Sequence, residues 1–222
     1  MGKNQQDHTT FFIIMLIALA KLLIHFLTYD NFELHRDAYL YYAQSEHLAW
    51  GFVAVPPSIA VFGKMATTIF GNTNFALRLF PALIGVANVL IICLMVKSLG
   101  GKRIAIILGG LAYILSPAFS HSNALFQPVS FNHFYWLLSG FLMLKLIQTQ
   151  NPRYWLWIGL IFGLGFLNKY SILFFYAAIG IALLISRHRK LMWSKWFLGA
   201  VLLGLAIISP NLVWQFNHNF PV

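Results

Sequence analysis

The 222 residues carry 59% hydrophobic and only 9% charged side chains, with a mean hydropathy of +0.73, too little polarity to cover a water-facing surface, and this excludes a soluble domain. The formal charge of +10 arises from 15 Lys and Arg against 5 Asp and Glu. These basic residues sit in loops between apolar runs instead of forming one stripe, a pattern that argues against a nucleic-acid partner and for a protein spanning a membrane.

A span needs about 20 mostly apolar residues, and the runs at 10–28, 75–97, 103–120, 129–148, 154–168, 170–187 and 195–212 predict an all-α, polytopic membrane bundle of about seven helices. No small-residue cleavage site follows the first run, so it reads as an uncleaved span. Residues 29–74 form the first outer loop. Within it, Ala38–Trp50 and Ser58–Phe70 are predicted as two helices lying on the membrane surface, separated by a turn ending at Pro56-Pro57. Cys93 lies in the apolar run after this loop and, as the single cysteine, reads as a packed core thiol. The 154–168 run is short and abuts the next at Asn168-Lys169-Tyr170, which predicts a tilted helix or a tight hairpin. Lys97, Lys102 and Arg103, then Lys145 and Arg153, then Arg187, Arg189, Lys190 and Lys195 mark inner loops by the positive-inside bias. That orientation places 29–74, 121–128, the turn at Lys169 and the tail after Ser209 on the outer face.

After Glu46 the chain contains no Asp or Glu, and Asp30, Glu33, Asp37 and Glu46 cluster in the outer loop. Asp37 stands where a lipid head group and a water-side acceptor could meet. It could serve as a general base toward an attacking hydroxyl or amine, or cap the helix that begins at Ala38. Lys169 is a cation on the face that the orientation rule leaves poor in cations, so it could hold a phosphate or snorkel to ordinary head groups. Arg36 and Arg78 suit bidentate contacts to phosphate or to the acidic cluster, and equally suit interfacial anchoring. Tyr39, Tyr42 and Glu46 could share one side of the first surface helix. Lys21 and His25 stand one turn apart on the first span, where they could line a polar cavity or snorkel outward. His25, His35, His47, His121, His133 and His218 map to the outer half without a compact ligand spacing, so no residue is assigned to a metal. A divalent ion stays open as a cofactor only if Asp37, Glu46 and histidines converge from separate segments.

The string His35-Arg36-Asp37, with Gln44, His47-Leu48, Gly51-Phe52, Pro56-Pro57, Phe70-Gly71 and Ala76-Leu77-Arg78-Leu79-Phe80-Pro81-Ala82, resembles the N-terminal module of C-type polyprenyl-phosphate-sugar glycosyltransferases. That family includes protein O-mannosyltransferases and the lipid A aminoarabinose transferase. The likeness continues through Phe126-Gln127-Pro128-Val129-Ser130-Phe131, Arg153-Tyr154-Trp155, Asn168-Lys169-Tyr170-Ser171 and Ser209-Pro210-Asn211-Leu212-Val213-Trp214-Gln215-Phe216. The resemblance implies inverting transfer of a sugar from a polyprenyl-phosphate carrier to a glycan, lipid or protein acceptor on the outer face, in a bacterial inner membrane. It implies Asp37 as catalytic base and Lys169 near the carrier phosphate; Arg36 or Arg78 is expected beside Lys169 on the phosphate, with Tyr170, Glu46 and Gln127 as further candidate substrate-binding residues. Ala38 and Asn132 stand where similar sequences often carry carboxylates. Family members usually continue into further spans, so residues 1–222 are expected to be a single membrane module truncated at its C-terminus. The alternative is a catalytically inactive paralogue that binds the lipid carrier or partner membrane proteins.

Overall fold

The computed structural model describes residues 3–221, with side chains from residue 8 onward. Among the described residues every regular element is helical: α1 (Lys3–Thr28), α2 (Arg36–Glu46), α3 (Ser58–Phe70), α4 (Asn74–Ser98), α5 (Arg103–Leu115), α6 (Pro117–Ala124), α7 (Pro128–Thr149), α8 (Tyr154–Asn168), α9 (Ile172–Ile185) and α10 (Lys195–Asn217). A short 3-10 turn, Arg189–Trp193, precedes α10. The chain divides into two compact units, Met1–Tyr41 with Gly63–Ser130, and Tyr42–Phe62 with Phe131–Val222.

Among the described residues three helices are long and apolar enough to cross a membrane, at His8–Thr28, Asn74–Ser98 and Lys195–Asn217. The run expected as one span over 103–120 is α5 and α6, bent by 60° and countable as a fourth span if the pair is taken together. The bend follows from Pro117, which lacks an N–H and drives Ser116 into an extended conformation at ψ 118°. At 15 and 14 residues, α8 and α9 measure only about 22 Å at 1.5 Å per residue, against the ~30 Å of a hydrocarbon core.

In the first unit, α4 starts at Thr73, whose side chain accepts the Ala76 N–H at 3.1 Å. α1, α4, α5 and α6 pack around Val89, Cys93 and Ile106, all buried, so the cysteine takes the core position expected of it. A polar layer crosses this core. Asn88 and Asn123 donate to the Tyr113 hydroxyl at 2.8 and 3.0 Å, and the Lys21 stem passes Gly85, where an added Cβ would lie 3.1 Å from Lys21 Cε.

In the second unit, α8 and α10 run in the same direction at close range. A Cβ on Gly159 would fall 2.4 Å from the Ala200 carbonyl oxygen, so only glycine permits this approach. Trp155 donates from Nε1 to the Leu191 carbonyl at 2.9 Å and joins Leu146, Ile158, Leu183 and Ala200 in a buried cluster. Tyr176 bonds Ser139 at 2.7 Å and donates to the Ile158 carbonyl at 3.1 Å, tying α9 to α7 and α8.

Candidate functional site

The segment between α1 and α2, in the first unit, is held by Arg78. Its guanidinium donates to the carbonyls of Tyr29, Phe32 and Glu33, the two latter at 2.8 and 2.7 Å, while the side chain is buried among the first residues of α4. Three backbone acceptors engage three of the five guanidinium N–H groups, and the buried Nε has no partner. Arg78, expected on phosphate or the acidic cluster, here bonds the backbone of the segment that leads to Asp37 and α2.

α2 begins two residues earlier than the predicted Ala38 and ends at Glu46 rather than Trp50. The start is fixed by His35, whose Nδ1 accepts the Asp37 backbone N–H at 3.2 Å while its carbonyl accepts from Ala38 at 2.8 Å. This is the work of a capping side chain. The capping duty considered for Asp37 falls to His35. The Asp37 carboxylate, in the first helical turn where the helix dipole favours a negative charge, is left available to other groups.

Arg36 Nε approaches Asp37 Oδ1 at 3.3 Å, and Gln127 Nε2 stands 3.5 Å from Oδ2 and 3.0 Å from His35 Nδ1. The Asp37 side chain is 37% exposed and that of Arg36 is 91% exposed, so the carboxylate is held but reachable and its arginine is mostly in solvent. Gln127 is placed by its neighbours. Phe126 is buried and meets the Tyr41 ring edge-on at 6.4 Å, Pro128 opens α7, and the Gln127 carbonyl accepts from Ser130 Oγ at 3.2 Å. Burial, with the Asp37 charge adding to it, raises Tyr41 above the ordinary phenol range, so its hydroxyl stays protonated and can donate.

The second unit carries its own polar group. Tyr170 donates to Asn211 Oδ1 at 2.9 Å and accepts from Gln215 Nε2 at 2.8 Å, while Asn211 Nδ2 donates to the Trp50 carbonyl at 2.6 Å. Asn211 and Gln215 are buried one turn apart on α10, and Gln215 Oε1 lacks a partner. Lys169 is exposed at the end of α8, with its N–H bonded to the Gly165 carbonyl at 2.9 Å. Ser171 donates to Asn132 Oδ1 at 3.4 Å, so the amide at the position noted for its missing carboxylate has a local partner. Glu46 is exposed at the last position of α2.

His35, Asn211 and Gln215 were not among the predicted site residues. The signal for the last two was two amides at i and i+4 in an otherwise apolar helix. Among the described residues no three His, Cys, Asp or Glu side chains gather as a metal would require.

Residues 54–214 match the family described as dolichyl-phosphate-mannose-protein mannosyltransferase. The lipid A galacturonosyltransferase RgtD of Rhizobium johnstonii is 28% identical over 194 residues, covering 87% of this chain and 41% of that protein. The chain therefore spans less than half the length of this relative. No solved structure matches it. The family match takes in Arg78, Gln127, Lys169 and Tyr170, whereas Arg36, Asp37 and Glu46 precede it. It covers most of the chain and agrees with the all-helical, apolar architecture, and so the chain belongs to the dolichyl-phosphate-mannose-protein mannosyltransferase family.

Proposed function

We propose that the chain transfers a sugar from a polyprenyl-phosphate carrier to an acceptor hydroxyl or amine on the outer face of a bacterial inner membrane. The observation that carries this reading is the reachable Asp37 carboxylate, relieved of capping by His35 and steadied by Arg36 and Gln127. Asp37 takes the acceptor proton as the acceptor atom bonds to the anomeric carbon. The bond from that carbon to the phosphate oxygen breaks with inversion, and the phosphate leaves on the lipid. Arg36 faces solvent beside the base and suits the sugar or its phosphate. Within the second unit, Lys169 is an exposed ammonium of the kind that suits a lipid phosphate, with Tyr170 next to it in the chain. Gln127 steadies the base, and Glu46, exposed in the second unit, is kept as a substrate contact. Arg78 acts through the loop it holds.

In this reading α7 joins α1, α4, the α5–α6 pair and α10 in crossing the bilayer, α8 and α9 cross where the bilayer thins to match their length of about 22 Å, and α2 and α3 lie along its outer surface. Support comes from the coincidence of these helices with the apolar runs and from the basic loops between them. The test is incubation of the purified chain in proteoliposomes with polyprenyl-phosphate-linked mannose or galacturonic acid and lipid A or peptide acceptors. Release of polyprenyl phosphate coupled to a glycosylated acceptor is expected. Transfer from a nucleotide sugar with none from any lipid-linked donor would overturn the reading.

A further inference from the structure

We propose that the basic end of the α8–α10 pair is a binding site for an anionic phospholipid, separate from the donor and acceptor chemistry of the outer loop. A cleft of 380 Å³ runs along this pair, lined by Arg153, Leu156, Trp157, Leu160, Trp196 and Leu203. Its composition is graded. Arg153 and Trp196 stand where α8 and α10 begin, Leu156 and Trp157 follow one turn on, and Leu160 and Leu203 continue the wall along the helices. This is the order of a lipid, head group first and hydrocarbon after.

The cation end is built on a single ring. The Arg153 guanidinium lies 5.7 Å from the centroid of Trp196, and the Lys195 ammonium lies 5.7 Å from the same centroid. Arg187, Arg189 and Lys190 follow in the loop that leads to α10, and no Asp or Glu occurs anywhere after Glu46. No carboxylate in these helices or their loops can therefore serve as counter-charge, and it has to be supplied from outside. A phosphate can take two N–H bonds from the planar guanidinium, with the ammonium adding positive charge beside the same ring. Trp157 is 59% exposed and positioned to sit at head-group level. The leucine wall supplies the apolar surface that an acyl chain covers. Inorganic phosphate would satisfy the cations and leave that wall bare, whereas a zwitterionic lipid would bring its own ammonium against Arg153 and Lys195.

The test uses the full chain in detergent and in nanodiscs, with native mass spectrometry reading retained lipid and circular dichroism checking the fold. Wild type is expected to retain phosphatidylglycerol in preference to phosphatidylcholine. Arg153→Gln with Lys195→Gln removes the two head-group cations and is expected to lower phosphatidylglycerol retention roughly 30-fold. Leu160→Trp leaves both cations and fills the wall, and it too is expected to lose the lipid while keeping its helical signal. Equal retention of phosphatidylcholine, or undiminished retention by the double variant, would overturn the proposal. Displacement of phosphatidylglycerol by equimolar polyprenyl phosphate would reassign the cleft to the carrier and also overturn it. A chain with no transferase activity that still selects phosphatidylglycerol would leave this site standing while refuting the catalytic reading.

Discussion

Replacing Arg78 separates two roles that an arginine at the mouth of a membrane bundle can have. If it holds the loop, Arg78→Met keeps the packed stem but removes every hydrogen bond to the carbonyls of Tyr29, Phe32 and Glu33. A hydrogen bond to a charged group contributes about 1.5–3 kcal/mol, but Phe32 and Glu33 are exposed, their carbonyls can turn to water, and losing a buried charge returns part of its desolvation cost. The net loss expected is about 2–4 kcal/mol, confined to the segment between α1 and α2. Local opening then becomes roughly 30- to 900-fold more frequent, and hydrogen exchange at the amides of residues 30–36 reads it directly. Arg78→Lys keeps the charge but cannot reach three carbonyls with one ammonium, so it should give an intermediate acceleration. Unchanged exchange in Arg78→Lys together with a raised KM for the lipid-linked donor would refute the loop-holding role and return Arg78 to the phosphate.

Gln127→Ala is expected to slow transfer by about tenfold with unaltered thermal stability, since it removes a contact to an exposed carboxylate and not a buried bond; kcat in proteoliposomes checks it. Gly159→Val should destabilise the α8–α10 contact by about 1–3 kcal/mol in a thermal melt, because its Cβ would overlap the Ala200 backbone. Gly180→Ala in α9, where an added Cβ meets nothing within 4 Å, should leave the melt unchanged or raise it. Tyr41 loses its proton later in the folded protein than in the unfolded chain. Its contribution to stability is therefore full below pH about 10 and lost as pH climbs through the raised folded value. Asp37→Asn removes the secondary cause of that shift, so tyrosinate absorbance should appear at lower pH in the variant than in wild type.

Much of the helical order was legible because apolar runs and their breaks are one-dimensional signals. The run 75–97 became α4 at Asn74–Ser98, and 154–168 became α8 with the same bounds. The bend between α5 and α6 was also written in the sequence, as Ser116-Pro117, but the continuous apolarity of 103–120 masked it. The segment between α1 and α2 was harder to read. His35 caps α2 through a ring nitrogen, a role outside the usual Ser, Thr, Asp and Asn signal, so the helix start was misplaced by two residues. The partners of Arg78 are backbone carbonyls, which every residue possesses, so no sequence pattern could announce them. Gln127 was placed among the site residues by resemblance. Its contact with Asp37 joins positions ninety apart in the chain, a pairing that only the fold creates.

The account turns on Asp37, and the most direct measurement is transfer by Asp37→Asn beside wild type, with donor binding followed in the same proteoliposomes. The amide preserves size and the backbone bond to His35 but cannot accept the acceptor's proton. Turnover is expected to fall by roughly 100- to 10,000-fold with donor affinity unchanged. Turnover within a factor of about two of wild type would contradict the assignment of Asp37 as the base.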